Sequence, residues 1–476
     1  MANGAETTPF RVLIAGAGIA GLATAISLSR VAGIANLDVQ LYEQSPELLE
    51  IGASIALSPN VRFPYTVYLV MSVGLNKYIE QGMRTLEKLG VHNALTDEVG
   101  YRGPSGIPQI FRHWKTNQVV SVDTHRNVPD PRHHTTRFHR GHLHAALLEN
   151  VPRECIHLGK KLLHADADEN GVKLSFEDGT TAHGDILIGA DGLKSKVRQS
   201  FIPDYKLRFT GKVFMRSTFD ASLVIGKIPE LPGDSMHWWG PEDNFFASRL
   251  GKGQYTTVGA YSDPRPTQEV ERTTAWDAKG DLNFLRERYK NWHPLIKALT
   301  EATPYTNLYP NFAGDAIPIW VFKDRVTLVG DAAHAHGGAF AAGGSLALDD
   351  AFALGLAFRY SLTWAGITNG KGHSKIERIQ KALRLYESTR KPHTHRLLGI
   401  VHGQLASKSG VKGTEEEEDE KLINRLRGRV DTAWLSEHDV EKAFAAVVRD
   451  EEAVQTHAVA GSKLWIATYI NRCTAK

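Results

Sequence analysis

Cysteine, long apolar runs and excess charge are all scarce in this chain. Of its 476 residues only Cys155 and Cys473 are cysteines, which is too few for a disulfide framework or a cysteine-based zinc site and fits a reducing compartment. No stretch is long and apolar enough to span a membrane. Residues 1–9 lack the charged and then apolar layout of a signal peptide. We therefore expect a cytoplasmic protein without a membrane span.

Several classes of binding protein are excluded in the same way. The net charge is only +3 and the basic residues are dispersed, so there is no electrostatic footprint for nucleic acid. In the histidine-rich segment 132–151 no acid or cysteine completes a recognisable metal-ligand pattern, and we expect no metal site. No second glycine fingerprint and no redox cysteine pair occur, which excludes a disulfide reductase with two dinucleotide domains. The histidines of the segment are His133, His134, His139, His142 and His144.

The strongest positive signal lies at residues 11–30, which read as a buried strand, a glycine turn and an apolar helix. In this context Gly16 permits the tight turn, Gly18 lets the backbone approach a pyrophosphate, and Gly21 lets helix and strand pack closely. The N–H groups and the dipole of the helix then face the phosphates. A second apolar strand ends at Glu43, a carboxylate placed to accept hydrogen bonds from a ribose. These features predict a bound dinucleotide.

Two further buried strands end in glycine-rich turns. Ile186–Ile188 is apolar throughout, as a strand covered on both faces should be, and leads into Asp191 and Gly192. Another short apolar strand leads into Asp331, which a glycine–alanine stretch follows as far as Gly344. Ligands collect at the loops after the carboxyl ends of strands in an open α/β sheet. We expect the three turns to share one ligand.

The texture of the chain also divides it into segments. Alternating strands and a helical stretch at 206–309 predict a sheet-and-helix module inserted into the nucleotide-binding domain, whose two parts are 1–205 and 310–400. The remainder, 401–476, is expected to be a helical tail. An acidic run at 415–420 within it is typical of a solvated loop or linker.

The fingerprint, the Asp-Gly turn and the Gly-Asp-Ala-Ala-His turn occur in an order and spacing that resemble the FAD-dependent aromatic hydroxylases. These are the group A flavoprotein monooxygenases, and the chain looks most like their fungal salicylate hydroxylase-like branch. The resemblance covers residues 10–400 apart from 61–81. It implies an α/β fold: a Rossmann-like FAD-binding domain of the aromatic-hydroxylase (GR2) type with an inserted mixed-sheet substrate domain and C-terminal helices. It also implies FAD as cofactor, NAD(P)H as transient co-substrate, and hydroxylation of a phenolic or aromatic substrate by dioxygen through a flavin hydroperoxide.

The family pattern implies roles for individual cofactor-binding residues. Gly16, Gly18 and Gly21 would hold the FAD pyrophosphate, Glu43 the adenosine ribose, and Asp331 the ribityl chain. Arg140, in a segment with helical spacing at 137–151, matches an arginine near the ribityl and phosphate groups, and Asp191 and Gly192 match a motif associated with FAD and NAD(P)H. Gly343 and Gly344 end the stretch that passes the isoalloxazine ring. Structural alternatives stay open: an exposed helix cation for Arg140, a strand-ending turn for Asp191, and a helix cap for Asp331.

One departure from the family lies in this last stretch. A proline that the family often has a few residues after the Gly-Asp-Ala-Ala-His turn is absent from residues 335–340. Glycine still allows the backbone to approach the ring closely, but the shape of the oxygen-reaction pocket does not follow from the family pattern.

The inserted module contributes two candidate catalytic residues. A phenolate substrate needs a cation or a hydrogen-bonding group beside it, and Arg216 matches an arginine that the family often has at the flavin edge. It is our candidate anchor for a phenolate or a carboxylate. His237 is a candidate proton acceptor near neutral pH. A sheet-surface arginine and an ordinary strand histidine are the alternatives.

Residues 61–81 interrupt the family pattern between a flavin-proximal loop and the helix that should follow it. Val61 and Gln81 can be encoded by the usual first and last bases of an intron, residues 75–76 by a branch-point-like sequence, and 21 residues keep the reading frame. We hypothesise a translated retained intron; the alternative is a genuine surface loop. Exposed apolar residues here would lower FAD affinity or solubility. A catalytically impaired FAD-fold protein, and a flavin oxidase or dehydrogenase, are therefore alternatives to the monooxygenase.

Overall fold

The computed structural model describes residues 9–48, 53–58, 82–125, 128–363, 374–406, 415–429 and 433–454. Its strands are β1 (Phe10–Ala15), β2 (Leu37–Tyr42), β3 (Ser54–Leu57), β4 (Gly100–Tyr101), β5 (Ile110–His113), β6 (Val119–Val122), β7 (Thr136–His139), β8 (Ile156–His157), β9 (Leu162–Ala167), β10 (Val172–Phe176), β11 (Thr181–Gly184), β12 (Ile186–Gly189), β13 (Leu207–Asp220), β14 (Met236–Trp239), β15 (Asn244–Arg249), β16 (Gln254–Ser262), β17 (Ala278–Lys279), β18 (Asn307–Gly314) and β19 (Val326–Leu328). Its helices are α1 (Ile19–Arg30), α2 (Met83–Lys88), α3 (Arg140–Leu148), α4 (Lys196–Phe201), α5 (Thr267–Thr273), α6 (Leu282–Tyr289), α7 (Pro294–Ala302), α8 (Gly343–Thr363), α9 (Lys375–Ala406), α10 (Glu415–Arg427) and α11 (Ala433–Ser436), and residues 440–454 are also helical.

A parallel sheet carries the three turns. Its five strands lie in the order β19-β12-β1-β2-β8, and every neighbouring pair is parallel. Val12, Leu13 and Ile14 have no exposed surface, as the continuous apolar run predicts for a strand covered on both faces. α1 packs against α8, and α8 packs against α9. The predicted β1–α1–β2 unit and the buried strand β12 are confirmed.

A second, mixed sheet of eight strands has the order β17-β18-β13-β16-β15-β14-β5-β6. One of its faces buries Trp238, Phe245 and Tyr289 in a core shared with α6 and α7. β5 pairs in parallel with β14, so the hairpin β5–β6, which we had assigned to the FAD-binding part, joins this sheet. β18 crosses the expected boundary at residue 309. The module is therefore assembled from separate parts of the chain.

A small sheet, β3-β7-β4, lies at the entrance to α3. Helical spacing led us to expect a helix from residue 137, but the helix begins at Arg140. Phe138 pairs with Ile55 of β3 on one side and with Gly100 of β4 on the other. Two strand partners satisfy the backbone of residues 137–139 better than the first turn of an isolated helix could.

The acidic run of the tail is helical, although its composition suggested a loop. It forms the first half of α10, where Leu422 and Leu426 are buried against Phe111 and neighbouring side chains of the eight-stranded sheet. Apolar residues four apart share one helix face, and burial of that face stabilises the helix in spite of the repelling carboxylates. None of the described helices is long and apolar enough to cross a membrane.

Candidate functional site

The glycine turn between β1 and α1 allows close backbone approach. Gly16 has φ +98° and donates its N–H to the carbonyl of Tyr42 at 2.8 Å. A Cβ on Gly21 would lie 2.0 Å from the carbonyl oxygen of Gly16, so a side chain there would force turn and helix apart. Gly18 caps α1 without a side-chain hydrogen bond, and no acidic residue occupies the first turn. The first N–H groups of α1 can therefore bind an anion.

Glu43, directly after β2, braces this turn. Its Oε2 accepts the N–H of Ala17 and its Oε1 accepts that of Ser45, each at 2.9 Å. On the other side of the turn, Nε2 of His144 bonds the carbonyl of Ala17 at 2.8 Å. Each carboxylate oxygen can accept more than one hydrogen bond. Glu43 can thus hold the turn and still accept a ribose hydroxyl.

Arg140, the first residue of α3, reaches toward the same turn. Its Nη2 lies 4.0 Å from the position that a Cβ on Gly18 would take. Burial lowers the pKa of the half-buried guanidinium, while Asp331, Tyr309 and Glu43 act in the opposite direction. The cation therefore lies in the field of both nucleotide turns, where a phosphate can form charge-assisted hydrogen bonds with it.

Asp191 anchors the start of α4. Its Oδ1 accepts the hydroxyl of Ser195 at 2.5 Å, and its Oδ2 accepts the N–H groups of Lys196 at 2.6 Å and Val197 at 3.0 Å. Burial raises its pKa, and these hydrogen bonds oppose the rise. The contacts match the strand-ending turn that the sequence left open. Gly192, with φ +72° and no atom within 4 Å of its Cβ position, is the accessible part of the motif.

Arg198 joins this turn to the next one, and the sequence analysis assigned no role to it. Its guanidinium donates to the carbonyls of Asp331 at 3.1 Å and Ala332 at 2.9 Å and lies 4.2 Å from the ring centroid of Tyr205. The side chain is buried. The available signal was a single arginine two helical turns after Asp191 in an otherwise short helix.

Asp331 and Asp350 divide two tasks in the third turn. Asp331 is exposed, and its carboxylate makes no hydrogen bond with the described residues. Asp350, on α8, is fully buried. Its Oδ2 accepts the N–H of Gly330 at 2.8 Å and lies 2.6 Å from Nε2 of His334, and its Oδ1 accepts Nε of Arg390 at 2.8 Å. Asp350 thus fixes the turn that presents Asp331.

The first residues of α8 border Asp331. Its Oδ1 lies 3.9 Å, and Nε2 of His336 lies 3.5 Å, from the Cβ position of Gly343. A Cβ on Gly344 would lie 2.6 Å from Cδ1 of Ile55, so glycine is needed for α8 to pack on β3. His336 is buried, and both of its ring nitrogens lack a hydrogen-bond partner among the described residues.

The loop before α8 follows the left-handed path that a proline cannot take. Gly337 and Gly338 have φ +68° and +67°, and Phe340 and Ala341 have φ +56° and +54°. A proline fixes φ near −65°, so the missing family proline corresponds to a different loop shape. Two non-glycine residues in this region store strain of about 1–3 kcal/mol each, a pattern that clusters at ligand-binding loops.

Arg216 lies on β13, on the half-exposed face of the eight-stranded sheet. Its guanidinium is 5.1 Å from the ring centroid of Phe214 and 5.3 Å from that of Tyr309. Its Nε is buried without a hydrogen-bond partner, and burial lowers its pKa. Among the described residues, no carboxylate pairs with it. A desolvated guanidinium between two rings is placed to bind an anion.

His237 shares this face of the sheet with Arg216 but lies far from it. Pairing places Arg216, Val258, Phe246, His237 and Phe111 side by side on successive strands, and we call these residues the Arg216 row. At about 4.8 Å per strand, His237 is about 14 Å from Arg216. Burial lowers the pKa of His237 to about 4, so its ring is neutral at pH 7 and a weak proton acceptor there. The structure does not bring the two candidate catalytic residues together.

The residues around the three turns fit an FAD molecule. The first N–H groups of α1 and Arg140 supply donors for a pyrophosphate, Glu43 and Asp331 supply acceptors for ribose and ribityl hydroxyls, and the glycines permit close approach of the backbone. The face of the sheet that carries Arg216 is continuous with this cradle through Tyr309, which acts electrostatically on both Arg140 and Arg216.

Comparison with known proteins agrees with this geometry. A family model described as FAD binding domain matches residues 77–369. A 6-hydroxynicotinate 3-monooxygenase of Bordetella bronchiseptica is 27% identical over 70% of this chain and 79% of its own length. A salicylate hydroxylase of Pseudomonas putida is 26% identical over 93% of this chain and 94% of its own.

Solved structures share the fold. A salicylate hydroxylase substrate complex superposes with a TM-score of 0.68 at 20% identity and covers 92% of this chain and 98% of that one. Klebsiella pneumoniae HpxO complexed with FAD and uric acid gives 0.66 at 20% identity, covering 92% and 97%. The α/β architecture with an added mixed sheet is therefore confirmed.

Proposed function

The chain belongs to the FAD-binding-domain family, and from this membership we propose the reaction that its site carries out. It is an FAD-dependent aromatic monooxygenase that uses NAD(P)H and dioxygen to hydroxylate an aromatic substrate. We propose that this substrate is a phenol or an aromatic acid of salicylate-like or larger phenolic type, bound as an anion. We also propose a cytoplasmic location, since the chain has few cysteines.

The observation that carries the substrate class is the state of Arg216. A guanidinium held between two aromatic rings, without a carboxylate among the described residues, leaves its charge for a ligand. Deprotonation of a phenol makes its ring electron-rich, and a neighbouring cation lowers the free energy of that anion. Arg216 is thus proposed to bind the phenolate or carboxylate and to orient the ring.

The other residues hold the cofactor and keep the site dry. Bound FAD, once reduced by NAD(P)H, supplies the oxygen chemistry. We propose that the glycine turn and Arg140 bind its pyrophosphate, Glu43 and Asp331 its ribose and ribityl hydroxyls, and that the α8 N-terminus with Gly343 and Gly344 lies along its ring. Asp191 acts through the turn that it caps, and Gly192 leaves that turn open to a transient NAD(P)H.

We propose a narrower role for His237 than for Arg216. With a pKa of about 4 it accepts a hydrogen bond or a proton only from a group that reaches its end of the Arg216 row. Asn244 Oδ1 lies 3.1 Å from its Nε2 and orients the ring.

Oxygen labelling of purified holoprotein tests the proposal. We expect a yellow protein whose NADPH or NADH oxidation is faster with a phenol present and which incorporates an atom of ¹⁸O₂ into product. Replacing Arg216 by Gln should raise the KM for the phenol by about 10- to 100-fold with FAD still bound. The matched control is Arg208→Gln, since Arg208 lies on the same strand but is exposed and pairs with Asp315.

Two outcomes would contradict the proposal. Flavin reduction without an oxygenated product would indicate an oxidase or dehydrogenase. Protein that stays colourless after incubation with FAD would indicate an impaired member of the family.

A further inference from the structure

Arg137 brings a second guanidinium onto the face that carries Arg216. It belongs to β7 of the small sheet, yet its guanidinium lies 5.1 Å from the ring centroid of Phe246 in the eight-stranded sheet. Its Nε donates to the hydroxyl of Ser235 at 3.1 Å, and its Nη2 donates to the carbonyl of Pro108 at 3.1 Å and to Oε1 of Gln109 at 2.7 Å. Its Nη1 makes no hydrogen bond with the described residues.

These contacts hold the side chain in one place and leave one edge of it for a ligand. Burial lowers the pKa of Arg137 to about 10, so the group is still charged at neutral pH. Asp123 acts in the opposite direction on that pKa, and it also accepts Nη2 of Arg429 at 3.1 Å. Two guanidinium groups thus share the field of this carboxylate. His237 beside them is neutral, and the end of the row keeps excess positive charge.

The space between the two arginines suits one aromatic ring. Arg216 and Phe246 are separated by Val258 alone in the Arg216 row, which puts their strands about 10 Å apart. All three side chains are half-buried, whereas Met215 and Ser217 on the opposite face are buried. The face therefore opens at an apolar floor with a cation at each end, and the Arg137–Phe246 pair closes it toward His237.

We propose that Arg137 is a second substrate anchor, and that the substrate is a single-ring aromatic acid whose carboxylate binds Arg137 while its phenolic end binds Arg216. The proposal rests on the function proposed above and adds to it the placement of two anionic groups at opposite ends of the ring. Arg137 thereby determines specificity: it selects an acid over a neutral phenol and limits the length of the substrate.

Ligand binding to the FAD-loaded protein tests this directly. The probes are 4-hydroxybenzoate and its neutral counterpart 4-hydroxybenzamide, and the readout is the change that each causes in the flavin absorbance spectrum, from which Kd follows without turnover. We expect the wild type to bind the acid at least about 10-fold more tightly than the amide. In Arg137→Gln that ratio should fall to about one through a 10- to 100-fold weaker binding of the acid. Arg137→Lys should restore part of the ratio, because it keeps the charge and loses the planar fork.

Controls separate a specific role from misfolding. Arg208→Gln should leave the ratio unchanged, and all variants are compared at equal FAD content and with their thermal midpoints measured. Equal ratios in wild type and Arg137→Gln, or equal loss of acid and amide in Arg137→Gln and Arg137→Lys, would overturn the proposal. Absence of phenol-stimulated NAD(P)H oxidation in a wild type that still prefers the acid would instead contradict the proposed function alone.

Discussion

Asp331 and Asp350 illustrate how similar side chains act differently at the residue scale. The carboxylate of Asp331 is exposed and makes no hydrogen bond with the described residues, so nothing in the folded chain depends on it. Asp350 is fully buried and bonds a backbone N–H, a histidine and Arg390. Binding and stability are therefore separable between the two positions.

We predict that Asp331→Ala weakens FAD binding by about 10- to 100-fold, the loss of a hydrogen bond to a charged group. It should leave the unfolding free energy of FAD-free protein within about 0.5 kcal/mol of wild type. Asp350→Ala is the comparison: it leaves the buried Arg390 charge unpaired, at a cost of about 3–5 kcal/mol. Titration with FAD followed by fluorescence, and thermal unfolding without FAD, distinguish the two. An Asp331→Ala protein as unstable as Asp350→Ala would contradict the assignment.

At the scale of elements, α8 and α9 meet through buried charges. Asp349 and Asp350 of α8 both face Arg390 of α9, and burial raises the pKa of Asp349 to about 7. Oδ1 of Asp349 also lies 3.3 Å from the hydroxyl of Thr85, which connects α2 to the same interface. The acidic pair in an otherwise apolar helix was a signal in the sequence that such an interface exists.

This interface predicts a dependence of stability on pH. The folded protein keeps a proton on Asp349 up to about pH 7, whereas the unfolded chain releases it near pH 4. Folded protein binds more protons between these values, so the contribution of Asp349 to stability falls as pH rises from about 4 to 7. Asp349→Asn removes that fall and keeps an oxygen for Thr85. It should be more stable than wild type by about 1–3 kcal/mol at pH 8 and little different at pH 4–5.

Thermal unfolding of wild type and Asp349→Asn across this pH range is the measurement. Asp315→Asn serves as the control, because Asp315 is half-exposed and should change neither the stability nor its slope with pH. A variant that loses stability toward pH 8 as steeply as the wild type would show that Asp349 is not the group responsible.

α10 shows how an element outside the family model shapes the substrate face. Arg429, just after it, lies 3.3 Å from the ring centroid of Phe111, and Arg425 donates to the carbonyl of Gly240 at 3.1 Å. The family model ends at residue 369. The far end of the Arg216 row is therefore covered by a part of the chain that the family pattern does not include.

At the scale of the whole molecule, the FAD-binding sheet remains continuous across the stretch 61–81, which lies outside the described residues. Ser58 and Gly82, on either side of it, are in contact: the N–H of Met83 bonds the carbonyl of Ser58 at 3.3 Å. A Cβ on Gly82 would lie 2.3 Å from that same oxygen. Residues 59–60 alone would suffice to join two points this close.

We predict that a protein lacking residues 61–81 folds and binds FAD at least as tightly as the full chain. Shortening the connection from 23 residues to two lowers its closure entropy by about 2 kcal/mol, and the retained residues include both contacts named above. Thermal unfolding and FAD titration of the two proteins measure the effect. Loss of FAD binding in the shortened protein would contradict the hypothesis that the stretch is foreign, as would processed transcripts that mostly contain its 63 bases.

Much of the cofactor site could be predicted from the sequence, because its signals are local. A glycine turn after a buried strand has few alternative backbone paths, and the spacing of Gly16, Gly18 and Gly21 is a property of consecutive residues. The positions of Asp191 and Asp331 followed from the rule that parallel strands end at one edge. Their contacts did not follow, since Asp191 uses its oxygens to cap α4.

The sequence by itself thus determined the three turns, the order of the strands that carry them and the presence of a second sheet. Only the tertiary structure decided that β5 and β6 join that sheet, that α10 covers its end, and that Arg137 and Arg216 lie on one face about 10 Å apart while His237 lies beyond them. The physical reason is range. Turn geometry depends on neighbours in the chain, whereas strand partners and the face that a side chain shares depend on register between segments a hundred residues apart.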